Sequence, residues 1–157
     1  MGVIDGGALV LLPGEAQTID VGGFDVTVHA DAATTDGLFA LIETAEREPG
    51  GGPPLHVHRD CSESLFVLAG AYVMHLDGRE FACPAGSFVY VPQGMVHTFR
   101  TLETGSRKLN LYAPAGMVGY FDELAAGIAA GMTDADLEAL AERHAMDVVG
   151  PVPEGYL

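Results

Sequence analysis

The sequence predicts an all-β domain finished by two α-helices, on three observations. From residue 8 to residue 113 the chain is a succession of short apolar runs broken by Gly, Pro and Asp. Several runs alternate apolar with polar residues at a period of two, as a strand with one wet face does. Beyond Pro114 the apolar residues recur instead at helical spacing. Nothing helical separates the strands, so an antiparallel sandwich or barrel fits and a βαβ layout does not. At 157 residues, 48% of them hydrophobic, the chain can build one substantial core. The change of pattern divides it into a barrel part at 1–116 and an acidic helical extension at 117–157 that packs on the barrel.

Taken in order, residues 8–12 and 18–21 read as short strands ended by Pro13-Gly14 and Gly22-Gly23. Phe24, Val26 and Val28 alternate with Asp25, Thr27 and His29, which puts His29 on the polar side. Residues 38–44 make the next strand, before a turn at 46–49. Gly50-Gly51-Gly52-Pro53-Pro54 can neither continue a helix nor sit in a central strand, so it forms a rigid extended approach to His56. Strands at 63–68 and 72–76 turn at Gly70, and Asp77-Gly78 leads into 80–83 as a two-residue hairpin signal. Residues 88–91, 96–101 and 109–113 complete the β region.

Phe121, Leu124, Ala125 and Ile128 then predict a helix over 118–130. Thr133 with Asp136 three residues on reads as the capped start of a second helix, ending near Ala145. His144 falls in its last turn, where a helix C-terminus favours a cation. Residues 150–157 are broken by Pro and Gly and read as a tail draped over a neighbouring surface.

Composition excludes several classes of function. Seven basic against 22 acidic residues give a formal charge of −15, and from Val118 onward eight carboxylates face one base, Arg143. Such a field repels phosphate backbones and anionic lipids, so neither nucleic acid nor membrane is an expected partner. No apolar run reaches the length of a membrane span, and the N-terminal Met1-Gly2-Val3-Ile4-Asp5 shows no secretory leader. Cys61 and Cys83 are too few and too far apart for a disulfide framework or a zinc finger, and read as free thiols of a cytoplasmic protein.

The informative stretch is 50–70, with its sequel at 86–97. On an extended strand His56 and His58 point to one face while Val57 points to the other. Glu63 follows a turn at 59–62, and His97 can close the set from a distant strand. Neutral imidazoles with a carboxylate suit one divalent transition ion, Fe, Ni, Mn, Co, Cu or Zn, and no thiolate narrows the choice. With four protein ligands, a five- or six-coordinate ion keeps positions open for water, O₂ or a chelating substrate.

These residues resemble the cupin superfamily. Its first motif, G-x5-H-x-H-x3–4-E-x6-G, has its counterpart in Gly50, His56, His58, Glu63 and Gly70. The second, G-x5-P-x-G-x2-H-x3-N, is matched at Gly86, Pro92, Gly94 and His97, with Thr101 in place of the final Asn. The core of the likeness spans 50–101, and 15 residues separate the motifs as in small single-domain members. The resemblance implies a jelly-roll β-barrel holding one metal on His56, His58, Glu63 and His97, a small-molecule substrate, and a homodimer joined through end strands.

Alternation from Glu63 predicts that Leu65, Val67 and Ala69 share its inward face, and from His97 that Phe99 does so. The 72–76 strand leaves two options open, with either Tyr72, Met74 and Leu76 or Val73, His75 and Asp77 lining the cavity. Tyr90 and Met95 are rim or core candidates, and Arg100 is expected to hold a surface carboxylate. No basic residue is evident inside the barrel, which disfavours phosphorylated substrates. The looser likeness to flavonol and quercetin dioxygenases makes an oxygenase of aromatic or enolic chelating compounds the leading expectation. The alternatives are a non-redox metal-dependent cyclase, isomerase or lyase, with Glu63 or water accepting a proton, and a non-enzymatic sensor or binding protein. No helix-turn-helix precedes the barrel, so a DNA-binding regulator is not expected. The acidic helices are placed on the barrel exterior or across a dimer in preference to a lid.

Overall fold

Strand alternation becomes two antiparallel sheets. A computed structural model describes residues 2–3 and 6–153; Met1, Ile4, Asp5 and the last part of the tail, 154–157, lie outside the described residues. A small ribbon pairs β1 (Gly2–Val3) with β2 (Leu9–Val10). The first large sheet contains β3 (Gln17–Asp20), β4 (Phe24–Ala30), β5 (Ala40–Glu46), β7 (Ser62–Ala69), β10 (Phe88–Val91) and β12 (Ser106–Ala113). The second contains β6 (His56–His58), β8 (Ala71–Leu76), β9 (Arg79–Pro84), β11 (His97–Thr101) and β13 (Met146–Val148). Their spatial orders are β10-β7-β12-β5-β4-β3 and β13-β6-β11-β8-β9. Leu65 and Val67 of the first sheet pack with Tyr72, Met74 and Cys83 of the second in one buried cluster. This is a jelly roll, although among the described residues the two sheets do not join into a closed ring.

The turns follow their local chemistry. Asp77 and Gly78 both take positive φ, 45° and 80°, as the predicted two-residue hairpin requires. The Gly-Gly-Gly-Pro-Pro approach is stapled along β11. Gly50 N–H donates to Thr101 O at 2.8 Å, Thr101 N–H to Gly51 O at 3.0 Å, and Thr98 Oγ1 to Pro53 O at 2.6 Å. A Cβ on Gly52 would stand 2.0 Å from the Phe99 carbonyl oxygen, so only glycine permits this approach.

Two strand ends depart from expectation. β5 runs through Glu46 instead of stopping at Thr44, and β12 begins at Ser106 rather than near Leu109. In both places a buried polar or charged residue, Glu46 and Lys108, broke the hydrophobic pattern. Ala69 leaves the inward face because the pairing of β7 with β12 slips between Arg107 and Lys108. His29 lies beside Glu43, its Nε2 3.7 Å from Oε2, on the partly exposed side of β4.

The helices are α1 (Val118–Ala129) and α2 (Asp134–Arg143). α2 begins with the predicted capping box, in which Asp136 N–H donates to Thr133 Oγ1 at 3.2 Å and Thr133 N–H to Asp136 Oδ2 at 2.9 Å. Its C-terminal His144 and Arg143 both reach Glu123 of α1, at 3.1 and 2.7 Å. After α2 the chain forms β13, which pattern reading missed because three residues are too few to show a period. β13 pairs with the histidine strand: Met146 opposite His58 and Val148 opposite His56. Arg59 secures the junction with its Nε 3.0 Å from Asp147 Oδ2 and an Nη2 donating to Glu142 O at 2.9 Å.

Removing the cap oxygen strands helical N–H groups of α2. Thr133→Ala is expected to cost about 1 kcal/mol, or a fall of about 2–4 °C in Tm, by circular dichroism melting. An unchanged midpoint would mean that the box contributes nothing.

Candidate metal centre

His56 and His58 leave β6 on the same side, and β11 brings His97 directly opposite His56 in the register. Glu63, one residue into β7, faces them from the other sheet. All four side chains are buried, and one ligand atom from each lies within 4.8 Å of the others. Glu63 Oε2 is 3.1 Å from His58 Nε2 and 3.0 Å from His97 Nε2.

Backbone carbonyls orient two of the rings. His56 Nδ1–H donates to Pro54 O and His97 Nδ1–H to Met95 O, both at 2.8 Å. These bonds assign the tautomer and leave both Nε2 atoms facing the centre. Asn110 Nδ2 donates to Glu63 Oε1 at 2.8 Å and fixes the carboxylate plane. His58 Nδ1 and Asn110 Oδ1 are buried with no hydrogen-bond partner among the described residues.

The electrostatics call for a positive charge at this point. Burial pushes the Glu63 carboxyl up, but hydrogen bonds from His58 and His97 outweigh it and hold it well below the usual carboxylate range. Burial lowers the His97 imidazole, yet the hydrogen bond and charge of Glu63 carry it above its ordinary value. Burial, reinforced by His97, pushes His56 down to about 3 and keeps it neutral. Because His97 Nδ1 already donates, its 3.0 Å contact with a carboxylate through Nε2 needs a cation between or upon them. That cation is either a second ring proton or a metal. Four buried donor atoms, one from each side chain and all within 4.8 Å of one another, converge closely enough to share one ion. The donor set fits a divalent transition ion.

The cluster opens into a cavity of about 460 Å³. Its barrel side carries Leu65, Met74, Phe99 and Tyr112, and its other wall is α1 and the start of α2, through Met117, Tyr120, Phe121, Leu124 and Leu137. Apolar residues of the acidic helices thus line the cavity. Tyr112 packs edge-on against His58 with ring centroids 5.7 Å apart. Burial and the Glu63 charge raise its phenol well above the ordinary range.

Comparisons with known proteins agree with this architecture. A family model described as "Cupin domain" matches residues 44–109. A quercetin 2,3-dioxygenase from Bacillus subtilis (strain 168) is 30% identical over 111 residues, 71% of this chain. The chain belongs to the cupin superfamily. The matched segment spans only 32% of that dioxygenase, which is therefore a much longer protein. Among solved structures, KdgF from a Halomonas species aligns with a TM-score of 0.61 at 19% identity, over 68% of this chain and 94% of its own. The nucleoside dehydratase Pac13 aligns at 0.59 and 14% identity, over 94% of this chain and 95% of its own. Both likenesses concern the fold.

Within this cupin the structure resolves what alternation left open. Tyr72 and Met74 face inward, and His75 belongs to the other face of β8. Thr101, which stands where the family motif has Asn, is fully buried on β11. Cys61 and Cys83 are buried free thiols. Two expectations are overturned. Arg100, expected at the surface, is buried and donates to Gly52 O at 2.7 Å, because the glycine approach covers it. The interior also contains a lysine: Lys108 lines the cavity, paired with Glu46 at 2.9 Å. Of the site residues, Asn110 and Lys108 went unnoticed, since a polar residue at every second position of a strand reads as its wet face. Their place opposite Leu65 and Val67 was the signal available.

Asn110 holds the candidate ligand Glu63 in place. Asn110→Leu is expected to weaken metal affinity about 10–100-fold in competition with a chelator, while His75→Ala leaves it unchanged. Equal affinities for the two variants would remove Asn110 from the site.

Proposed function

We propose that this cupin is a metal-dependent oxygenase of small aromatic or enolic compounds that chelate through oxygen. The observation that carries the reading is the buried His56-His58-Glu63-His97 cluster at one end of a largely apolar cavity. The 30% identity to a quercetin dioxygenase supports the substrate class. The cavity volume falls within the roughly 300–1,000 Å³ of small-molecule sites.

A divalent ion held by these four side chains supplies a Lewis acid that favours the ionised form of a chelating hydroxyl, and with iron, nickel or manganese it supports reaction with O₂. The protein does the rest. His56 and His97, fixed through Nδ1, present their Nε2 atoms without reorganisation. Glu63, aligned by Asn110, is the carboxylate placed to take the proton that an enolic hydroxyl releases on binding. Leu65, Met74, Phe99 and the helix residues Phe121 and Leu124 keep water from the bound ring.

A non-redox lyase, cyclase or isomerase is the second reading, favoured by Tyr112, whose phenol stays protonated beside Glu63 and offers a proton to a leaving oxygen. Oxygen consumption separates the two. Protein loaded in turn with iron, nickel and manganese is expected to consume O₂ in step with loss of flavonol absorbance, and His58→Ala is expected to lose both the metal and the uptake. Turnover of the flavonol without O₂ would select the second reading. No bound metal in the wild type after gel filtration would defeat both.

A further inference from the structure

Apart from the four candidate ligands, the charged residues lining the cavity among those described are Glu46, Glu48, Asp134 and Lys108, and Lys108 is the one lysine or arginine. Lys108, Thr44, Glu46 and Phe99 all line the cavity. Lys108 is fully buried, with Nζ donating to Glu46 Oε1 at 2.9 Å and to Thr44 Oγ1 at 2.5 Å. Tyr72 donates to the remaining oxygen, Glu46 Oε2. An ammonium has three N–H donors, and two are taken by these bonds. The rest of the ammonium faces aromatic rings, with the Phe99 centroid at 3.9 Å and that of Tyr72 at 4.9 Å.

Packing alone does not explain this pair. A buried ion pair generally stabilises a fold no better than apolar residues of the same volume. The neighbouring strands supply just such residues in the same layer, Val67 opposite Lys108 and Val26 opposite Thr44, both buried. Position suggests another use. Lys108 lies two residues before Asn110 on β12, so both face the cavity with Cα atoms about 7 Å apart. Asn110 holds Glu63 and has a buried carbonyl oxygen without a partner among the described residues. A molecule extending from the histidine cluster along β12 meets Asn110 first and the Lys108 ammonium next.

We propose that Lys108, oriented by Glu46 and Thr44, is a specificity-determining contact that donates a hydrogen bond to a hydroxyl or carbonyl oxygen at the end of the substrate remote from its chelating oxygens. This rests on the chelating-substrate reading above and narrows it to flat, mostly apolar molecules with oxygen at both ends. The ring face is what the substrate oxygen displaces. Lys108 with Glu46 is neutral as a pair, so it suits a neutral oxygen better than a second anion.

The test is anaerobic titration of zinc-loaded protein with two probes, 3-hydroxyflavone, which has the chelating oxygens but no remote hydroxyl, and quercetin, which has both. The wild type is expected to bind quercetin at least about tenfold more tightly, the discrimination available to one hydrogen bond with a charged donor. Lys108→Met alone would strand the Glu46 carboxylate, so the variant used is Lys108→Met with Glu46→Gln. It is expected to bind the two probes within about threefold of each other, with zinc content and Tm retained. A wild-type ratio near one, or discrimination that survives in the double variant, overturns the role of Lys108 and leaves the chelating-substrate reading intact. Failure of both probes to bind the zinc-loaded wild type overturns that reading and this inference together.

Discussion

A carboxylate taken out of water among imidazoles sets the terms for the rest of this molecule. Glu63 is buried, and desolvation of a charge costs several kcal/mol unless a partner compensates. Its compensation comes from the His58 and His97 rings on two strands of the opposite sheet, so the sheets must meet at a definite separation and register. The glycine-proline approach serves that end by pinning the start of β6 against β11, the two strands that bear the rings. The ring tautomers follow from the carbonyls of Pro54 and Met95, which are features of the turns and not of the ligands. The centre is therefore as rigid as the strand ends around it.

The four candidate ligands were legible in the sequence because strand periodicity and turn glycines are local signals. His56 and His58 share a face by parity alone, and Glu63 stands one turn away. The helices were equally plain, with Thr133 and Asp136 marking the start of α2. What escaped notice depended on tertiary context. Lys108 and Glu46 look like solvent-facing residues of strand ends until the register shows them opposite each other's neighbours on the inner face. Arg100 looks equally exposed until the glycine approach is seen to lie over it. β13 has too little sequence to announce itself, and only the free edge of β6 makes it a strand.

The cavity combines two kinds of wall. The four candidate ligands and Lys108 fall within residues 44–109, the segment matched by the cupin family model, with Asn110 and Tyr112 of β12 just beyond it. The facing wall comes from α1 and α2, outside that segment, and it is built from Met117, Tyr120, Phe121 and Leu124. Part of the charge of the extension is spent elsewhere: Glu123 binds Arg143 and His144 between the helices, and Asp147 binds Arg59, while Asp134 stands at the cavity wall. An acidic composition and a largely apolar inner surface are thus compatible.

The pairing of β13 with β6 also orders events in time. Residues 56 and 58 leave the ribosome long before Met146 and Val148, yet the latter form their second hydrogen-bonded neighbour. Until translation has passed residue 148, the histidine strand is a naked border open to stray partners. A nascent chain thus carries its ligands some ninety residues ahead of the piece that shields them.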